Sequence, residues 1–158
     1  MLPEYAYHLI GYTPERDYEF LEVNRRLRLL HPQLVAEVVR SLQAVGEEVT
    51  RDERTDLITV NRAFSVSIVL ARFERTPAGS PRWTIRLDHS LSPDLTVAVR
   101  MDATNGGALD YYLLPSLDIR AERLRVAEEN GLSLDTYRLD SLEYLYGMAV
   151  QVQIEVAA

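Results

Sequence analysis

The chain contains no cysteine, and all 17 of its basic residues are arginine. The first absence removes disulfides, thiolate metal ligands and cysteine nucleophiles together. The second, the absence of lysine, removes Schiff-base chemistry, the lysine of phosphate-binding loops and every lysine-assisted nuclease centre. Aromatic residues make up 8% of the chain, and no apolar run approaches the length of a membrane span. The opening residues Met1-Leu2-Pro3-Glu4-Tyr5 lack a basic stretch followed by an apolar one. The expectation is therefore a cytoplasmic protein with no membrane contact. What is present is 158 residues with 47% hydrophobic content, enough for one domain with its own core.

Net charge is −7, but it is unevenly spread. Residues 62–100 hold six Arg against three acids, whereas residues 1–61 and 101–158 are both acidic. An arginine-rich island in an acidic chain is either ordinary solvated surface or a basic patch for an anionic partner.

The hydrophobic pattern predicts one α+β domain over residues 1–158, with a central mixed sheet of five or six strands flanked by helices. Pro14–Leu30 reads as a first helix. Pro32 would open a second that carries Leu34, Val35, Val38, Val39, Leu42 and Val45 to a stop at Gly46. Strands are expected at 47–51, 56–61, 64–74, 82–88, 95–101 and 110–114. In the fourth, Trp83, Ile85 and Leu87 oppose Arg82, Thr84, Arg86 and Asp88. In the fifth, Leu95, Val97, Val99 and Met101 oppose Thr96, Ala98, Arg100 and Asp102. One sheet face should meet the helices, in a single core with Leu34, Val38, Leu42, Trp83, Ile85, Val97 and Val99, and the other should carry small and polar residues. A helix at Ile119–Asn130, a second capped by Asp140-Ser141-Leu142-Glu143, and an edge strand at Val150–Val156 complete the chain.

The order of these elements resembles the PD-(D/E)xK, or restriction-endonuclease-like, nuclease superfamily over residues 33–118. Residues 1–32 would then be an N-terminal helical extension, and 119–158 C-terminal helices with an edge strand. Glu37 stands on the first core helix, and Asp56-Leu57-Ile58-Thr59-Val60 resembles the family's Asp strand. Val66-Ser67-Ile68-Val69-Leu70-Ala71-Arg72 occupies the place of the strand with Glu and Lys. Asp110-Tyr111-Tyr112-Leu113-Leu114-Pro115 is similar to the strand that closes the family core. The resemblance implies a metal held by the Asp and Glu, with the Lys polarising the attacking water. Here Ser67 and Val69 stand at the Glu and Lys positions, and no other lysine can substitute. The implied centre is inactive.

The leading expectation is thus a catalytically inactive nuclease-like domain with no cofactor. It would bind DNA, or serve a nucleic-acid-processing protein as an accessory subunit in recombination, mobile-element function or defence. Its nucleic-acid-binding residues would be Arg82, Arg86 and Arg100, with Arg72, because guanidinium forks suit phosphate. The competing account of those side chains is an ion network on the sheet face with Asp88 and Asp102. A second function is an active metal-dependent nuclease with a rearranged magnesium site of Asp56, Asp88 and Glu37. Against it, Asp56 is equally a turn-capping residue and Glu37 a solvated helix edge. A third is a protein-interaction module without nucleic-acid contact. His8, His31 and His89 are too dispersed for a zinc site.

Overall fold

A computed structural model describes residues 14–45 and 48–157. Gly46, the expected helix stop, and His8 lie outside the described residues. The N-terminal segment forms one helix, α1 (Pro14–Val45), rather than two, and Pro32 sits inside it. Proline there removes one main-chain hydrogen bond. The helix is held on both sides of it, because Leu27 and Leu30 before and Leu34, Val35, Val38 and Leu42 after all pack on the same core.

The strands are β1 (Val49–Arg51), β2 (Ile58–Val60), β3 (Phe64–Arg75), β4 (Pro81–Arg86), β5 (Leu95–Met101), β6 (Ala108–Pro115), β7 (Arg123–Val126) and β8 (Arg138–Leu139). A short 3-10 turn (His89–Leu91) precedes β5. A one-turn helix, α2 (Leu132–Asp135), and a longer one, α3 (Glu143–Ala157), complete the order. The architecture is α+β with a central mixed sheet. Its main path runs β1-β2-β3-β5-β6-β8, and among the described residues only the β3–β5 pair is parallel. β4 pairs with the far end of β3 and with β7, both antiparallel.

Two further elements differ from the sequence expectation. The region read as a helix over 119–130 contains β7, whose Leu124 and Val126 point into the protein while Arg123 and Arg125 are exposed. The expected edge strand Val150–Val156 belongs to α3. Leu142, Leu145 and Ala149 are all buried at spacings of three and four residues, and that anchorage carries the chain onward as helix.

The core also divides in two. On one sheet face, Val66, Ile68, Val97 and Val99 meet Val35, Val38 and Leu42 of α1, and Leu145 and Ala149 of α3. The opposite face was expected to be small and polar, but β4 and β7 cover it. Ala71, Ala98, Tyr112 and Leu114 there pack against Trp83, Ile85 and Val126. Trp83 and Ile85 are buried as expected, but in this second core, apart from Val38 and Leu42.

The loop between β5 and β6 extends this arrangement. Asn105 is buried with φ +54°, and its side chain accepts from Phe73 N at 2.7 Å and donates to Phe73 O at 3.2 Å. The β3–β5 pairing ends at Ala71 and Arg100, so a side-chain amide takes over the ladder where β5 leaves it. Asp102 holds the loop by accepting from Thr104 N and Gly106 N.

Candidate nucleic-acid interface

Side chains at paired positions of neighbouring strands share a sheet face. In β3, β4 and β7 the register sets Glu74 opposite Arg82, Arg72 opposite Thr84, Thr84 opposite Arg125, and Arg86 opposite Arg123. The alternate positions Phe73, Trp83, Ile85, Leu124 and Val126 fill the second core. Within these three strands the outer face therefore presents Arg72, Arg82, Arg86, Arg123 and Arg125 with one acid, Glu74. Arg82 to Arg86 spans roughly 13 Å along β4, and the strands lie about 4.8 Å apart.

The five differ in how far they are committed. Arg72 donates from Nη1 to Asn24 Oδ1 at 2.9 Å, and Arg82 from Nη2 to Glu74 Oε2 at 3.3 Å. Arg86, Arg123 and Arg125 are exposed and, among the described residues, have no carboxylate within ion-pair distance. Arg86 and Arg123 face one another directly across strands, a like-charge placement that destabilises a sheet. Such a pair gains from an anion laid across it.

Arg82 and Arg86 thus share one face, as the strand alternation implies, and the β3–β4 register adds Arg72 to it. Arg100 does not join them. It projects from β5 into the second core, on the inner side of the β3–β4–β7 layer, where it is 4% exposed. Its Nε and Nη2 donate to Asp110 Oδ1 and Oδ2 at 2.8 and 2.6 Å. Nη1 donates to the carbonyls of Ala127 at 2.7 Å and Glu128 at 3.2 Å. The guanidinium carbon lies 4.5 Å from the Trp83 ring centroid. Burial disfavours its charge, but Asp110 outweighs that and leaves its pKa raised. The ion-network account holds for Arg100, with Asp110 as the partner instead of Asp88 or Asp102. Arg123 and Arg125 replace it on the outer face. Sequence reasoning missed both by placing them on a helix, although Arg123-Leu124-Arg125-Val126 alternates with the period of a strand.

The carboxylates of the rearranged metal site are not brought together. Among the described residues no three His, Asp or Glu side chains form a group able to hold a metal ion. Asp56 precedes β2 with φ +61°, where its Oδ1 accepts from Arg51 Nε at 3.0 Å and Nη2 at 2.8 Å. Its Oδ2 lies 3.8 Å from His31 Nδ1, and His31 Nε2 is 2.8 Å from the Ile68 carbonyl. Asp88 caps the 3-10 turn, accepting from the Ser90 hydroxyl and N–H, and these bonds hold its carboxyl below the usual carboxylate range. Glu37 lines a separate cavity of about 250 Å³ between α1 and α3, with Tyr111, Asp140 and Glu143. Ser67 and Val69 alternate with Val66 and Ile68, so they face away from α1, whereas Asp56 faces its His31. The residues present do not fit the family's metal centre.

Tyr111 and Tyr112 point to opposite sides. Tyr112 is fully buried in the second core, donating to Asp135 Oδ1 and accepting from Asn130 Nδ2, both at 3.0 Å. Burial pushes its pKa up to about 12. Comparison with protein families, curated proteins and solved structures finds no match to this chain.

Proposed function

We propose that the protein is a non-catalytic nucleic-acid-binding module, a degenerate member of the PD-(D/E)xK superfamily that serves as an accessory subunit of a DNA transaction. The observation that supports this reading is the outer face of β3, β4 and β7. Five Arg and one Glu gather there in a chain of net charge −7. Guanidinium groups at strand spacing match a row of phosphates and give affinity without reading bases. The acidic remainder opposes non-specific adhesion, so binding is weak at physiological salt and a partner protein strengthens it. The separation of Asp56 from Ser67 and Val69, with no lysine in the chain, supports the absence of cleavage.

A salt titration tests the reading. Three to five phosphate contacts give a slope of log affinity against log salt of roughly −2 to −4.5. Arg86→Gln should flatten that slope by about 0.7–0.9 and weaken binding equally across sequences. Because it also removes the Arg86–Arg123 repulsion, it should leave stability unchanged or raise it by a few tenths of a kcal/mol, about the lower end of a cross-strand pair energy. No cleavage of DNA is expected with magnesium or manganese. An identical salt response in wild type and Arg86→Gln would overturn the proposal in favour of a protein-interaction module. An apolar groove lined by Leu113, Tyr137, Leu139, Tyr144 and Met148 would then be the surface to examine.

A further inference from the structure

The arginine face ends in a cleft. Where β3 and β4 meet the N-terminal half of α1, a cavity of about 410 Å³ is lined by Glu19, Phe20, Arg72, Glu74, Arg75 and Arg82, among others. That volume is within the range that holds a small ligand. Arg72 and Arg82 belong to both features, so the cleft continues the proposed phosphate track. Its wall differs from the open face in carrying an exposed aromatic ring, that of Phe20. Phe20 is 48% exposed, and the Arg72 guanidinium lies 4.2 Å from its ring centroid. Asn24 fixes that guanidinium through Nη1. The Nε–H groups of Arg72 and Arg82 are buried with no acceptor.

We infer that the cleft takes an unpaired nucleotide, so that the protein selects single-stranded over double-stranded nucleic acid. This rests on the reading of the arginine face as a nucleic-acid surface. A half-exposed phenylalanine backed on one face by a guanidinium offers its remaining exposed surface to one base. Base stacking on aromatic and guanidinium planes is the means by which proteins hold single strands without reading sequence. The neighbouring phosphate lies against the guanidinium charge of Arg72 and Arg82 at the cleft wall. Paired bases in a duplex are stacked on one another and cannot enter a cleft of this kind. They would meet only the open arginine face.

The test compares an oligothymidylate of about 15 nucleotides with a mixed-sequence duplex of the same length, by fluorescence anisotropy at fixed salt. Wild type, Phe20→Leu and Arg86→Gln are measured in parallel. Phe20 is exposed on a helix, and circular dichroism checks that the variant is folded. The single strand should bind about tenfold or more tightly than the duplex. Phe20→Leu should lower single-strand affinity about five- to hundredfold, the range found for loss of a stacking partner. It should leave the salt slope and duplex binding unchanged. Equal affinity for both forms, or a silent Phe20→Leu, would overturn the inference. If Arg86→Gln still weakened both forms, the arginine face would stand as the interface. No binding of either form by wild type would overturn both.

Discussion

Asp110→Ala should destabilise the fold by about 3–5 kcal/mol, the loss typical of breaking one half of a buried ion pair. The Arg100 guanidinium enters the second core with its charge balanced by both oxygens of Asp110. Two main-chain carbonyls, an indole face and the Tyr112 ring, 5.6 Å away, surround the rest of it. Without the carboxylate, a positive charge is left in a water-poor site with hydrogen-bond acceptors for only part of its donors. Asp110→Asn should cost less, because an amide oxygen still accepts one bond. Arg100→Gln should also destabilise, as the carbonyls of Ala127 and Glu128 lose their donor. Urea denaturation followed by circular dichroism measures all three. The same variants separate structure from binding: Arg100 lies inside, so Arg100→Gln should leave the salt slope for nucleic acid unchanged while Arg86→Gln flattens it. A drop below about 1 kcal/mol for Asp110→Ala would mean that water reaches the pair, as at an exposed salt bridge.

The contrast between Arg86 and Arg100 shows what the sequence reveals and where it stops. Alternation within a strand tells which side chains share a side of that strand. Arg82 and Arg86 follow from it directly, and the alternation of Leu95, Val97, Val99 and Met101 gives β5 its observed limits. Alternation does not tell how one strand is registered or layered against another. β4 crosses over the sheet face that β5 presents through Ala98 and Arg100, and that layering turns Arg100 inward and divides the core. Local signals also competed. Asn130-Gly131 reads as a helix stop, yet Asn130 is a junction that accepts from Ala127 N and donates to the Tyr112 hydroxyl. The alternating Val150–Val156 stretch reads as strand, but it follows a helix already anchored at Leu145 and Ala149. For the candidate site, the positive island of residues 62–100 located β3 and β4. β7 contributes Arg123 and Arg125 from an acidic part of the chain, where local charge conceals them.

Trp83→Ala is expected to be the other large loss, about 3–5 kcal/mol, a large share of the stability of a domain this size. Trp83 is 2% exposed and lies between the β4–β7 layer and the main sheet. Its ring meets Phe73 edge-on, with centroids 5.5 Å apart and planes at 70°. Its Nε1 donates to the Met101 carbonyl at 2.8 Å, and Arg100 stacks over its face. Truncation opens a cavity, strips Met101 of its donor and removes an aromatic wall from the buried charge. Those losses share contacts with Arg100, so the double variant Trp83→Ala with Asp110→Ala should be markedly non-additive. Trp83→Phe separates the terms. It keeps most of the ring and loses the N–H, so it should cost about 1–3 kcal/mol, the penalty of an unsatisfied buried acceptor plus a smaller ring. The chain has one tryptophan, which makes its native fluorescence a direct readout of this position. Emission should be blue-shifted in the folded protein and move to the red in urea, in step with the loss of circular dichroism. Native emission already at the solvent-exposed wavelength would refute the two-core arrangement. The outward placement of the five arginines would fall with it, since Trp83 and Ile85 turn inward on the same strand that turns Arg82 and Arg86 outward.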